Sequence, residues 1–186
     1  MPHQWQIDLQ LLLNDVNSSA TLTRLLNYKG KHSGRYESII PFLDNLTGAQ
    51  RLANVFHSDY IPGTPAASNT ILHKVCFHDH SHVSFDEVFQ LALKILDTDP
   101  QRRKDKYLSS RNPAGYTALH YASQSGNVPL VRLLIAHYPG ALFIRSGYGN
   151  AGREGNKRPV DLARYFGRLQ VVEVIEELMI VYAALA

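Results

Sequence analysis

The sequence predicts an all-α protein, a row of stacked helix–turn–helix units with long loops between them and a helical cap at the amino-terminal end. Three observations carry this prediction. First, Asn69-Thr-Ile-Leu-His-Lys-Val-Cys76 and Tyr116-Thr-Ala-Leu-His-Tyr-Ala-Ser123 share Thr-x-Leu-His, and Lys157-Arg-Pro-Val-Asp-Leu-Ala-Arg164 is a looser third copy. Such self-similarity is the signature of a repeat architecture. Second, the spacing behind the motif agrees, because Thr117 to Val131 and Arg158 to Val172 are both 14 positions. Third, apolar residues then recur at steps of three and four, which places them on one face of a helix.

Taken in order, residues 1–60 read as helices without the repeated motif. Trp5, Leu9, Leu12 and Leu13 form one stripe, Leu22, Leu25 and Leu26 a second, and Ile39, Ile40, Leu43 and Leu46 a third. Thr47-Gly-Ala-Gln50 is a capping box that opens a helix with Leu52, Val55 and Phe56. A stacked unit exposes apolar surface at each end of its row, so this segment is expected to be a helical cap, with degenerate repeats as the alternative form. The Pro- and Ser-containing stretch 61–68 connects it to repeats at about 69–111, 112–155 and 156–186.

In the first unit, Ser84-Phe-Asp-Glu87 is a capping box, and Phe85, Val88, Phe89, Ala92, Ile95 and Leu96 are the expected buried face. In the second, a short helix should end at Gly126, where a left-handed residue is favoured, before a helix buried through Val128, Val131, Leu134 and Ile135. The third repeats this with Gly167, then Val171, Val172, Ile175 and Leu178. The apolar tail from Met179 is far shorter than the ~20 residues of a membrane span and is expected to end a helix packed on the body.

Bulk properties narrow the function. With 45% apolar and 19% charged residues, a chain of 186 residues can bury a core and is not a disordered tail. A net charge of +3 is a mild bias toward acidic partners and does not make a nucleic-acid binder. One cysteine excludes an internal disulfide, and the start lacks a basic segment followed by an apolar run, so cytoplasmic residence is the default, with the nucleus or a host cytosol as variants.

Residues Cys76, His78, Asp79, His80 and His82 invite a different reading, a metal-binding protein or metal-dependent enzyme. A zinc site needs four convergent, deprotonated ligands held by outer hydrogen bonds. Here the histidines fall in a lengthened turn before the Ser84 capping box, and Cys76 sits on the preceding helix, where a buried apolar role is commoner. The turn reading is preferred, and no metal, catalytic residue or cofactor is assigned. His73 and His120 occupy the repeated motif beside Thr70 and Thr117, so hydrogen bonding between adjacent repeats is expected of them rather than general-base catalysis. Asp161 takes the same place in the last copy, where no further repeat needs bridging.

Tyr116-Thr117-Ala118-Leu119-His120-Tyr121-Ala122, with Gly126 and Val131-Arg-Leu-Leu134, closely resembles the Thr-Pro-Leu-His-x-Ala core of the ankyrin repeat family. The resemblance is fullest over 112–139, looser over 156–178, present with an insertion over 69–100, and does not reach 1–60. It implies a curved stack of helix pairs with protruding fingers, used to bind other proteins and without catalytic groups of its own. The departures are in length: Thr70 to Thr117 spans 47 residues and Thr117 to Arg158 spans 41, against a family period of ~33. The fingers are therefore long.

On such a stack the concave side should present Lys74 and Phe77, Tyr121 and Gln124, and Arg164 and Tyr165. Arg111 and the Gly-rich finger residues Tyr148 and Arg153 complete the expected partner-binding set. The plainer account makes the fingers solvated loops and has Phe77 and Tyr165 fill space between repeats. Exposed aromatics bordered by cations are what protein interfaces favour, and the basic runs 101–106 and 145–158 would steer an acidic protein surface. A non-enzymatic protein-binding module follows, with a nucleic-acid surface on the basic fingers as a lesser alternative.

Overall fold

A computed structural model of the chain describes residues 71–77, 84–97, 108–112, 114–147 and 155–184. The expected cap (1–60), the histidine string 78–82, the basic run 101–106, and Tyr148 and Arg153 lie outside the described residues, as does the side chain of Lys74. The described residues form helices and no strand: α1 (Ile71–Phe77), α2 (Phe85–Asp97), α3 (Ala118–Ser125), α4 (Val128–His137), a 3-10 turn (Pro139–Phe143), α5 (Pro159–Tyr165) and α6 (Leu169–Ala184).

Local chemistry sets each boundary. Ahead of α2, the Ser84 amide donates to Glu87 Oε2 at 3.0 Å and the Glu87 amide donates to Ser84 Oγ at 3.1 Å, the reciprocal cap expected from the sequence. Helix α3 stops at Gly126, whose φ of 88° lets its amide donate back to the Ala122 carbonyl. One residue later Asn127 starts α4, its Oδ1 accepting from the Leu130 amide at 3.1 Å, with Pro129 in the first turn, where no amide is needed. Gly167 closes α5 in the same left-handed region, with the Gly167 and Arg168 amides donating to the Arg164 and Ala163 carbonyls.

Each inner helix packs on its own outer helix: α1 on α2, α3 on α4, α5 on α6. Across units, α1, α3 and α5 lie side by side in that order, and α2, α4 and α6 do likewise. The core is the seam between these layers, with Leu72, Leu91, Leu119, Leu134, Val160 and Ile175 all buried. No single helix pair could hide its apolar face, so each stabilises the next.

Two side-chain expectations change. Phe85 is 45% exposed, because the buried stripe of α2 runs through Val88, Leu91, Ala92, Ile95 and Leu96 and leaves the first helical residue at the rim. The tail is helical as far as Ala184, yet only Met179 and Tyr182 pack on the core while Ile180 is 73% exposed. No helix among the described residues is long and apolar enough to cross a membrane.

Candidate protein-binding face

The inner helices can present side chains in fixed relation only if the units are locked in register. Two kinds of tie do this. His73 Nε2 lies 2.9 Å from the Tyr116 carbonyl, and His120 Nε2 lies 3.0 Å from the Lys157 carbonyl. Both carbonyls stand one residue before the next helix cap, so each histidine reaches forward into the following unit. A carbonyl can only accept, which puts the His120 proton on Nε2 and leaves Nδ1 to accept from the Thr117 amide at 3.1 Å. Burial holds His73 and His120 down from 6.5 to about 4, against the raising effect of those backbone bonds, so both are neutral at pH 7.

The second tie runs backward. Asn127 Nδ2 donates to the Phe85 carbonyl at 3.1 Å, and Arg168, at the equivalent position of the next unit, donates from Nε to the Gln124 carbonyl at 3.0 Å. The Arg168 stem crosses Gly126, where a Cβ would come within 2.9 Å of its Cδ. The sequence reading missed the Asn127 and Arg168 bonds. The signal lay in Asn127 following a helix-ending glycine, but its cross-unit arm depends on packing.

With the units locked, Phe77, Gln124 and Tyr165 occupy equivalent positions on the three inner helices, and Phe77 and Tyr165 are 60% and 70% exposed. Both rings are largely exposed, and Phe77 also reaches across to the next unit. Tyr121 joins the first of them: its ring centroid is 4.7 Å from Phe77, edge to face, and 5.5 Å from Tyr116. Tyr165 is paired instead with Phe166 at 5.1 Å. Gln124 is half-buried between the two clusters.

The loop before α3 is built on Asn112. Its Oδ1 accepts from the Ala114 and Tyr116 amides at 3.0 and 2.9 Å, and its Nδ2 donates to Tyr121 Oη at 2.6 Å. The loop tip and the next finger meet where the Gly147 amide donates to the Ala114 carbonyl, with Gly115 at φ 77° and no room for a Cβ. The base of that finger pairs as a short antiparallel ladder, the Ser146 amide to the Lys157 carbonyl and the Asn156 amide to the Gly147 carbonyl. Asn112 went unread in the sequence, although Asn before Pro113 is a turn signal.

Charge separates across the stack. Outside the outer helices, the described side chains carry Arg111, Arg145, Lys157, Arg158, Arg164 and Arg168, with Asp161 the one acid among them. The described side chains of the outer helices are Asp86, Glu87, Glu173, Glu176 and Glu177 against Lys94 and Arg132. Arg164 and Arg158 are committed within the chain: both contact Asp161 at 3.3 Å, and Arg164 also pairs with Glu176. Arg111 is exposed, and no carboxylate among the described residues pairs with it. Cys76 is fully buried and its thiol is pushed far up by desolvation, so it is a core residue and poorly suited to ligate a metal. Among the described residues no cluster of histidine, cysteine and carboxylate side chains could hold a metal ion.

Helix pairs stacked in two layers define an all-α repeat protein. Residues 114–145, which hold α3, α4 and the 3-10 turn, match the ankyrin repeat family model, so the middle unit is an ankyrin repeat. The fold is also similar to that of a chain in the crystal structure of the yeast ribosomal protein Rps3 in complex with its chaperone Yar1. That likeness has a TM-score of 0.53 and 19% identity and covers 93% of each chain, so it bears on the fold alone. No curated protein matches the sequence.

Proposed function

We propose that the chain is a non-enzymatic protein-binding module, an adaptor or scaffold unit, whose inner-helix face and fingers hold a partner with an acidic surface. The ankyrin repeat and the stacked helices support a protein-interaction role. One observation carries the rest: Phe77 and Tyr165 are exposed aromatic rings at equivalent positions on inner helices tied in register by His73 and His120. A rigid face loses little conformational freedom on binding, and aromatic and arginine side chains are the usual anchors of protein interfaces. His120 spends both ring nitrogens on structure, which argues against a general-base role for it. In this reading the repeats occupy about 69–111, 112–155 and 156–186 behind the 1–60 cap, the cytoplasm is the site of action, and Tyr148 and Arg153 on the finger extend the face.

The test is capture of a partner on the immobilised full chain, followed by binding of the purified partner to single variants. Phe77→Ala and Tyr165→Ala are each expected to weaken binding by tenfold or more, on the order of a hot-spot residue. Unchanged affinity in both variants, with melting curves matching the parent, contradicts the proposal.

A further inference from the structure

The Phe77–Tyr121–Arg111 corner has a more specific chemistry than a generally basic face. Asn112 fixes it. Because Asn112 Oδ1 already accepts two amide protons, its amide can face Tyr121 only with Nδ2, and the phenol oxygen must be the acceptor of that bond. The phenol proton is then directed elsewhere, and no acceptor among the described residues takes it. Burial raises the Tyr121 pKa, so the hydroxyl keeps that proton at neutral pH. Arg111 is the chain neighbour of Asn112, is exposed, and has no carboxylate partner among the described residues, so a cation stands one residue from the side chain that holds the phenol. The exposed Phe77 ring packs edge to face with the Tyr121 ring. A phenol donor packed against an exposed ring, with a cation one residue from the asparagine that holds the phenol, complements a carboxylate and an apolar side chain that share one face of a peptide.

We propose that this corner reads a short acidic segment of the partner, seating a carboxylate on the Tyr121 hydroxyl and the Arg111 guanidinium and an adjacent apolar side chain on Phe77. The idea rests on the protein-binding reading and narrows it from a surface to a linear motif. The two groups would lie two positions apart in an extended segment, whose same-face side chains are about 6.6 Å apart, or three to four apart in a helical one. The bond to the carboxylate is charge-assisted, which makes it the stronger kind.

The experiment is selection from a random short-peptide display library on the immobilised full chain, in parallel with Arg111→Gln and Tyr121→Phe. Selected peptides should carry Asp or Glu at a fixed spacing from an apolar residue. Their affinity, measured by fluorescence anisotropy, should fall on the order of tenfold in each variant. The Arg111 variant should also show a weaker salt dependence. Arg111 is exposed, so its variant keeps the test valid even if Tyr121→Phe loosens the Asn112 loop, which melting curves would reveal. Failure to select any peptide, selection without an acid, or binding indifferent to both variants overturns the motif. If Phe77→Ala and Tyr165→Ala still weaken a captured folded partner, the broader reading survives that failure. If they do not, both fall.

Discussion

The middle and last units open with the same backbone geometry and solve it with different side chains. In the middle unit the Thr117 amide donates to His120 Nδ1, and in the last the Arg158 amide donates to Asp161 Oδ2 at 2.9 Å. The histidine has a second nitrogen, which crosses to the Lys157 carbonyl of the next unit. The aspartate turns its other oxygen to Arg164 within its own unit. A cap needs one acceptor, whereas a cap that also bridges needs a ring that accepts at one end and donates at the other. The difference teaches that the histidine belongs to the interface between units as much as to the helix it starts.

Acidification should break the comparison most. A neutral buried histidine binds fewer protons than the unfolded chain does, so its stabilising contribution is complete above 6.5 and is lost as pH falls toward 4. At pH 5 the loss is roughly 2 kcal/mol for each of His73 and His120. Chemical denaturation at pH 7 and pH 5 should show it. Asp161 belongs to a lower window. Burial alone would raise its carboxyl, but the Arg158 amide and guanidinium, with Arg164, hold it below its usual value. Its contribution is present above the ordinary carboxylate range and disappears only as pH falls through the folded value.

Next in size is His120→Ala, expected to cost about 3 kcal/mol, since the buried Thr117 amide loses its acceptor and the tie to Lys157 is gone. His120→Asn sharpens the point. Its amide oxygen can still cap α3 but cannot span to the next unit, so a loss of about 1 to 2 kcal/mol is expected, between the alanine variant and the parent. Asp161→Ala should cost only about 1 kcal/mol, the worth of a helix cap. Urea melts at pH 7 rank all three. A cost for Asp161→Ala equal to that for His120→Ala would remove the distinction between cap and bridge.

The stack was readable because its determinants are local and repeated. Thr117, His120, Gly126 and the apolar stripe of α4 each follow from neighbours within a few residues, and the third copy could be placed by spacing alone. The histidine ties were legible for the same reason, as two copies of one motif. Asn112, Asn127 and Arg168 were not, because what they bind is decided by which segment packs alongside. The register of Phe77 and Tyr165 on the inner helices was legible, but it left open whether the rings face outward or fill space between units. By contrast, the capture of Arg164 by Glu176 depends on α6 lying across α5. Charge segregation was half visible: the basic runs stood out, while the acidic outer side emerged only when α2 and α6 were placed on the same layer.

The most direct test of the stack is nitrogen NMR of the imidazole rings across a pH titration. The account predicts that His73 and His120 hold a proton on Nε2 at pH 7, a bare Nδ1 in His120, and resist protonation to well below pH 6. Rapidly exchanging tautomers that titrate near 6.5 at both positions would contradict it, because the units would then have no fixed hydrogen bond from ring to carbonyl between them.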